Sequence, residues 1–461
     1  MTSASAHMAS PRGAGLDAKR AAGSELSDAQ GSGGPVHPDP QAGTAFGYLV
    51  PEFPSQAHAV FWREITALRS LGAMPHLIST RKPSKTSRMP PWAEASAAEA
   101  EYLFPGSPRN VLAAAGVLTS TMLHGRADRI LREIHRAHRD SDEPRARLFA
   151  LALAGAELAV IARRGRWSHV HVHSCADAAW VALFAHLLTG LRYSLTAHGP
   201  LADYGGGQDA KWSHAEFGLA ITSRLCDEIE RELDGNVPAS LAIAPMGIDP
   251  VLLTRPVPYE PWRPGTIARI FSCGSLNPSK GYDDLVRAVA LLVAEGRDIE
   301  LVIAGEDDDV GKGYRLWLEA FIAACGVEDR VVLLGAIGED AVRAELARAH
   351  VFALASQDEP LGVAIMEAMA MRVPVVVAAE GGVSELVADR VTGILANAHA
   401  PWTFATEIAH LLDRPEIAIE LALRARDQVS RRFNSARSAA ILLHLIQGTT
   451  RPASHSGGRE S

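Results

Sequence analysis

The sequence predicts an α/β protein with two doubly wound halves, because short apolar segments alternate with amphipathic segments along most of the chain. A proline-dense stretch, residues 255–264 (RPVPYEPWRP), separates the two alternating sets. Proline clusters end regular structure and are typical of linkers, so we place a linker at 255–265. A length of 461 residues also favours two or three domains over one.

The first half opens with an apolar strand predicted at 45–50, followed by a helix over 59–71 that ends at Gly72. Further strands are predicted at 76–80, 168–173, 192–197, 217–222 and 239–244. Residues 109–164 are rich in Ala, Leu and Arg and predict helices. We assign 44–254 to one Rossmann-like domain on the acceptor side of the site described below.

The second half repeats the alternation and is assigned to a Rossmann-like domain over 266–430. Its strands are predicted at 269–273, 300–304, 330–334, 351–355 and 373–378, with helices at 282–295 and 314–325. A long final helix, 416–446, is predicted to bend around 431–434, so that 431–448 packs back on the first domain. Segments 1–43 and 449–461 are polar or rich in small residues and are expected to be disordered tails.

Composition limits the class of protein. A net charge of −8 argues against nucleic acid as the main partner, because a phosphate backbone needs a basic surface. The four cysteines are widely spaced without a Cys-x-x-Cys pair, which is typical of a reduced, cytoplasmic setting. No apolar run approaches the roughly 20 residues that span a bilayer, and the N-terminus lacks a signal-peptide pattern.

The most informative motif pairs two carboxylates, Glu359 and Glu367. Glu359 follows a predicted buried strand at 350–356, and Glu367 lies in a helix that begins after the turn 361–363. Open α/β sheets bind ligands at the carboxyl ends of their strands, which is where Glu359 lies. Amides at the helix start suit a diphosphate, and nearby carboxylates hydrogen-bond sugar hydroxyls. The motif therefore predicts a nucleotide-sugar site.

The same segment resembles the donor-site signature of glycosyltransferase family 4, which has the GT-B fold: two Rossmann-like domains facing across a cleft. The resemblance rests on Glu-x7-Glu, the Ala-Met-Ala after it, and Gly-Gly-Val-Ser-Glu at 381–385. It implies a retaining hexosyltransferase-type enzyme in which Glu359 contacts the transferred sugar and Glu367 the ribose hydroxyls. The amides around Leu361, Gly362 and Val363 would bind the diphosphate of a UDP- or GDP-linked sugar, which is a substrate; no cofactor is expected.

A second loop, 273–281, resembles the family's Gly-Arg-Leu-x-x-x-Lys-Gly diphosphate loop and assigns donor binding to Gly274, Ser275 and Lys280. Lys280 matches the family's lysine and offers a compact positive charge for phosphate. Ser275 stands where arginine is expected, and so lacks a bidentate phosphate contact. Either another cation substitutes, with Arg81 and Arg372 as candidates, or Ser275 and Asn277 bind the phosphate more weakly.

On the opposite side, His198 ends a predicted strand and matches a family histidine that lies beside the donor sugar. The resemblance is extended by the segment from Phe53 to Glu64, which is similar to the start of bacterial exopolysaccharide (colanic-acid-type) glycosyltransferases. Acceptor-side candidates are Gln56, His173 and Tyr204, the last in a loop expected to be flexible, with Lys211 and Trp212 as its basic and aromatic flank.

Metal chemistry is not expected. Alternate histidines at 169–173 share one strand face but extend over about 13 Å, too far for a single metal ion. The acidic run 306–309 is interpreted as a solvated loop, since GT-B enzymes neutralise the diphosphate with basic side chains and helix amides.

Two alternatives remain: a nucleotide-sugar epimerase of the same fold, and a degenerate nucleotide-sugar-binding protein, which Ser275 favours. The expected acceptor of a transferase is a glycan or a polyprenyl-diphosphate-linked glycan. The arginine-rich helices of 111–139 predict peripheral contact with inner-membrane lipid.

Overall fold

The computed structural model describes residues 43–54, 58–83, 91–104, 106–123, 127–141, 143–308 and 310–450. Two wholly parallel sheets are built from consecutive parts of the chain, one from segments between residues 45 and 243 and the other from segments between 268 and 396. The α/β class and the two-sheet organisation predicted from the sequence are confirmed. The predicted tails lie outside the described residues, apart from Gly43 and the last two residues of the final helix.

The first sheet has seven strands in the order β3-β2-β1-β4-β5-β6-β7. Their bounds are β1 Ala45–Val50, β2 Met74–Arg81, β3 Glu101–Phe104, β4 His169–Val172, β5 Arg192–Ala197, β6 Gly218–Ala220 and β7 Leu241–Ile243. The order reverses between β1 and β4, which leaves a crevice at the carboxyl ends of these two strands.

Eight helices connect the strands of this sheet in the described chain. They are α1 Ala59–Ser70, α2 Pro91–Glu99, α3 Pro108–Leu123, α4 Ala127–Ser141, α5 Arg145–Gly165, α6 Asp177–Thr189, α7 Gln208–Ser213 and α8 Ser223–Glu232. The predicted helical region 109–164 is thus three helices, α3 to α5. The short edge strand β3 and helix α2 were not predicted, because four residues of strand show too little periodicity to detect.

The second sheet has six strands in the order β10-β9-β8-β11-β12-β13, with its reversal between β8 and β11. Its strands are β8 Ala268–Cys273, β9 Ile299–Ala304, β10 Val331–Gly335, β11 Val351–Leu354, β12 Val375–Ala378 and β13 Ile394–Ala396. The helices around it are α9 Tyr282–Ala294, α10 Tyr314–Ala324, α11 Glu339–Arg348, α12 Val363–Ala370, α13 Val383–Leu386 and α14 Pro401–Asp413.

The final predicted helix is two helices, α15 (Pro415–Arg432) and α16 (Ser435–Thr450). The break allows Ile248 to donate its backbone N–H to Phe433 and to accept one from Ser435, which ties the break to the first half. Helix α16 then packs on α1. The chain therefore returns to the half in which it started.

Candidate functional site

The loops at the carboxyl ends of strands in both sheets carry the residues singled out in the sequence. His173 and His198 follow β4 and β5 in the first half, while Lys280 and Glu359 follow β8 and β11 in the second. Polar contacts join the two halves here, as described below. The predicted site residues that the structure describes therefore lie at the carboxyl edges of the two sheets, on the side where the halves contact each other.

Lys280 and Glu359 are in direct contact: Lys280 Nζ lies 2.7 Å from Glu359 Oε2. Lys280 ends a short 3₁₀ turn, and the adjoining Gly281 has a φ of 63°. A Cβ at Gly281 would lie 2.2 Å from the carbonyl oxygen of Ala355, so only glycine lets this loop approach the end of β11. The approach brings the ammonium group of Lys280 and the carboxylate of Glu359 together.

Gly381 and Gly382, downstream of the Glu359–Glu367 motif, are required by close packing against the backbone of Glu359. Gly381 has a φ of 63°, and a Cβ there would meet the backbone oxygen of Glu359 at 2.2 Å. Gly382 donates its backbone N–H to that same oxygen at 2.9 Å. The two glycines thus fix the backbone that carries Glu359.

Helix α12 begins at Gly362, with Leu361 buried before it, and carries Glu367 in its second turn. The first-turn amides, starting at Val363, point to the same carboxyl edge of the sheet. Glu367 Oε1 accepts a hydrogen bond of 2.9 Å from Nη2 of Arg63, a residue of α1 in the first half. Glu367 is thus reached from across the cleft, a contact that the sequence analysis did not predict.

A second unpredicted contact lies next to it. Trp92 of α2 donates its indole N–H to Glu339 Oε1 at 3.0 Å, and Arg63 Nη2 lies 3.9 Å from the same oxygen. Arg63 belongs to the segment 53–64 whose resemblance was noted above, and this was the only signal that could have identified it. Trp92 carried no such signal.

Ser275 and Gly274 lie in the loop after β8, as expected, and are held from behind. Asn277 Nδ2 donates to Asp308 Oδ2 at 2.6 Å and lies 3.4 Å from Ser275 Oγ. Although burial opposes it, hydrogen bonds from Asn277 and backbone amides lower the pKa of Asp308.

The interpretation of 306–309 as a solvated loop fits the exposed Glu306 and Asp307, but two of its carboxylates also accept backbone hydrogen bonds. Asp307 accepts backbone N–H groups from Gly313 and Arg315, and Asp308 accepts them from Val310 and Gly311. These carboxylates order the loop beside Ser275. Asp309 lies outside the described residues.

Neither substitute cation named from the sequence is placed for the role. Arg372 follows the far end of α12, away from the carboxyl edge, because the helix runs antiparallel to the strands it covers. Arg81 is 62% exposed and lies 3.6 Å from Asp177. The cation expected at Ser275 is therefore supplied by neither residue.

The first half contributes a buried chain of polar side chains ending at His198. His173 Nδ1 lies 3.2 Å from His198 Nε2, and His173 Nε2 lies 3.2 Å from Glu64 Oε2, which also accepts the Tyr48 hydroxyl at 2.7 Å. Burial lowers the pKa of His173 and of His198 to about 3, so both are neutral near pH 7.

These contacts favour one tautomer for each histidine. The Glu64 carboxylate, 3.2 Å from His173 Nε2 but without hydrogen-bond geometry, favours an N–H there by its charge, and Nδ1 is then an acceptor. His198 must then donate from Nε2, so its Nδ1 carries the free lone pair. His198 can accept a hydrogen bond from a sugar hydroxyl, and Glu64 acts on it through His173.

Tyr204 is tied to His198, because its hydroxyl accepts the His198 backbone N–H at 3.1 Å. Its loop is anchored below by Lys211, whose Nζ donates to the backbone oxygens of Cys175 and Tyr204. Burial lowers the pKa of Lys211 to about 8. Lys211 and Trp212, named above as the basic and aromatic flank of this loop, are buried beneath it. Gln56 lies outside the described residues.

The strand histidines His169 and His171 are structural. Ser194 Oγ lies 2.8 Å from a ring nitrogen of each, and Thr196 Oγ1 lies 2.8 Å from His171 Nε2. Among the residues that the structure describes, no cluster of three or more His, Cys, Asp or Glu side chains has the geometry to hold a metal ion. Within the same ranges, no helix is long and apolar enough to cross a bilayer.

Comparison with known proteins agrees with this geometry. Residues 263–428 match the family "Glycosyl transferases group 1". The D-inositol 3-phosphate glycosyltransferase of Xylanimonas cellulosilytica is 28% identical over 62% of this chain and 73% of its own length. The alpha-D-kanosaminyltransferase of Streptomyces kanamyceticus is 33% identical over 33% of this chain, a match that spans only 38% of that relative.

The fold is shared over almost the whole described chain. The crystal structure of Anabaena HepE in complex with UDP superposes with a TM-score of 0.65 at 17% identity, covering 87% of this chain and all of its own. At that identity the likeness establishes the architecture. It confirms the predicted GT-B fold of two Rossmann-like domains.

Proposed function

We propose that this chain, whose residues 263–428 match the group 1 glycosyl transferases, is a retaining glycosyltransferase that uses a nucleotide diphosphate sugar. The observation that carries the proposal is the contact between Lys280 and Glu359 at the strand-order reversal of the second sheet. A phosphate-binding cation beside a sugar-binding carboxylate suits the two ends of the bond that such a donor breaks.

The roles of the remaining residues follow from their positions. Lys280 and the first-turn amides of α12 would hold the diphosphate, with Glu367 on the ribose. Glu359 would orient the sugar from one side, and the free Nδ1 of His198 would accept a sugar hydroxyl from the other. The departing phosphate oxygen would take the acceptor's proton on the same face of the sugar, which gives retention without a separate base.

The acceptor is proposed to be a glycan or a polyprenyl-diphosphate-linked glycan of exopolysaccharide synthesis, as in the colanic-acid-type enzymes that segment 53–64 resembles. The exposed Arg129, Arg132, Arg136 and Arg139 of α4 support a cytoplasmic enzyme that contacts anionic inner-membrane lipid. UDP- and GDP-linked sugars are both candidate donors.

The test is a donor panel followed by nuclear magnetic resonance. The protein is incubated with UDP- and GDP-linked hexoses, with and without simple glycoside acceptors, and the anomeric signals are followed. Release of the nucleotide diphosphate with a product of the donor's anomeric configuration supports the proposal. An inverted product would refute retention, and no turnover of any donor would count against a transferase.

One observation keeps the epimerase alternative worth testing. Glu64, His173 and Tyr48 supply a cluster of acid–base groups next to His198. An epimerase would convert one nucleotide sugar into its C2 epimer without any acceptor. The same spectra would reveal that product, whereas a transferase produces none of it.

A further inference from the structure

The clearest unexplained group in the cleft is Arg63. Its side chain is only 10% exposed, and Nη2 is hydrogen-bonded to Glu367 Oε1 at 2.9 Å. Its other terminal nitrogen, Nη1, is buried and meets no hydrogen-bond acceptor in the part of the chain that the structure describes. A buried guanidinium N–H without an acceptor is unfavourable, so this position is suited to an oxygen that arrives with a ligand.

The described loop after β8, residues 274–281, carries one basic residue, whereas the resemblance predicts two. Ser275 occupies the position where the resemblance expects an arginine, and the cations Arg81 and Arg372 are placed for other contacts. Lys280 provides one positive charge, which is already paired with Glu359. A diphosphate carries a negative charge on each phosphate, so a second cation near Glu367 would strengthen its binding beyond what Lys280 and the helix amides supply.

We propose that Arg63 is a donor-binding residue contributed by the first half, and that it binds the diphosphate of the nucleotide sugar in place of the cation missing at Ser275. The inference rests on the function proposed above. Arginine suits the role because its planar fork holds a carboxylate on one edge and a phosphate on the other. Arg63 keeps Glu367 at Nη2 while Nη1 takes the phosphate oxygen.

The neighbouring residue of α1 shows why this helix is placed to do so. Arg63 points to the second half, whereas Glu64 points into the first half, towards His173 and Tyr48. Consecutive helical residues lie about 100° apart around the axis, so one turn of α1 directs Arg63 to the second half and Glu64 to the first. Donor binding at Arg63 therefore connects the second half to the histidine pair.

The test compares Arg63→Met with Arg69→Met in the full-length protein. Arg69 lies on the same helix and pairs with Glu99 at 2.5 Å on the exposed side, within the first half. Affinity is measured by calorimetry for UDP and GDP, and for uridine and guanosine by competition. We expect Arg63→Met to lower the affinity for the diphosphate that the wild type binds by roughly tenfold or more. The affinity for the corresponding nucleoside should fall by less than about threefold. Arg69→Met should leave both affinities unchanged.

A rescue variant makes the assignment specific. Adding Ser275→Arg to Arg63→Met should return the diphosphate affinity to within about threefold of the wild type, because it restores the missing charge. Arg63→Lys, which keeps the charge and most of the packing, should lose less than Arg63→Met. Circular dichroism and the thermal midpoint without ligand report whether each variant is folded.

Three outcomes would overturn the inference. Unchanged diphosphate affinity in Arg63→Met would exclude a phosphate contact. An equal loss for nucleoside and diphosphate would place Arg63 on the ribose or in a structural role. Failure of Ser275→Arg to rescue a folded Arg63→Met would show that the two positions do not replace each other. Absence of any UDP or GDP binding by the wild type would instead refute the proposed function.

Discussion

Lys280 Nζ lies 2.7 Å from Glu359 Oε2, although the two residues are 79 positions apart in the chain. Each was identified from a different motif, one by its resemblance to a phosphate loop and the other from a carboxylate pair. Their contact at the strand-order reversal brings together the two groups that are proposed to bind the phosphate and the sugar of the donor. It also predicts that replacing either residue affects the other.

Replacing Glu359 by Gln should lower donor turnover far more than it lowers the affinity for the nucleotide diphosphate. The amide keeps the side chain's size but removes the charge that orients the sugar and neutralises Lys280. We expect donor turnover to fall by about a hundredfold or more, while nucleotide diphosphate affinity changes by less than about threefold. Single-turnover kinetics and calorimetry measure the two quantities. A proportional loss of both would assign Glu359 to binding alone.

Glu64 should act on the reaction through His173. Glu64→Gln keeps the shape but weakens the preference for an N–H at His173 Nε2, so the tautomer of His198 is no longer fixed. We expect a roughly tenfold or larger loss in kcat with little change in KM for the donor. His198→Gln should be at least as impaired, and combining the two changes should add little. Additive losses in the double variant would show that Glu64 acts independently.

The buried histidines also predict how the pH–activity profile behaves. Since burial lowers the pKa of His198 and His173 to about 3, both stay neutral throughout the range pH 5 to 8. The pH profile of donor turnover should therefore show no ionisation of His198 near pH 6.5. The wild type and the His198→Gln variant should have profiles of the same shape in that range. Such an ionisation in the wild type would mean that His198 works as a charged group.

Glu157 of α5 should make the protein less stable at high pH. The side chain is 2% exposed, and burial raises its pKa to about 7, against Asn110 and Ser107 hydrogen bonds that lower it. The folded state holds the proton more tightly, so this contribution to stability is full below about pH 4.5 and is lost as the pH rises through 7.

Glu157→Gln removes the ionisation. The variant should be more stable than the wild type at pH 8 by on the order of 2 kcal/mol, and the difference should shrink as the pH falls towards 4.5. Urea unfolding at several pH values measures it. A difference independent of pH would mean that packing, rather than charge, separates the two proteins.

Glu385, at the end of the Gly-Gly-Val-Ser-Glu segment, links the two halves. Its carboxylate accepts the backbone N–H groups of Ser223 and Arg224 in the first turn of α8, at 2.8 and 2.9 Å. Glu385→Ala should lower the free energy of unfolding by about 1 kcal/mol and leave the halves less firmly joined. X-ray scattering should then show an increased radius of gyration. Glu385→Gln, which retains one acceptor oxygen, should lose less. An unchanged radius in Glu385→Ala would show that other contacts set the domain arrangement.

The sequence predicted local features well and long-range ones poorly. Glu359, Glu367 and Lys280 could be placed because each lies within a strand–turn–helix segment whose pattern is visible in a dozen residues. Arg63 could not be placed against Glu367, because the pair is separated by 304 positions and its contact depends on how the two halves meet. Likewise the burial of Lys211 was not predicted, since sequence alone does not show that two backbone oxygens accept hydrogen bonds from its ammonium group.

The most direct test of the nucleotide-sugar site is a calorimetric titration of the wild type and Lys280→Met with UDP and with GDP. The account predicts that one of the two diphosphates binds the wild type, and that Lys280→Met binds it at least about tenfold more weakly because a charge-assisted phosphate contact is lost. Binding of neither diphosphate to the wild type, or equal binding to both proteins, would contradict it.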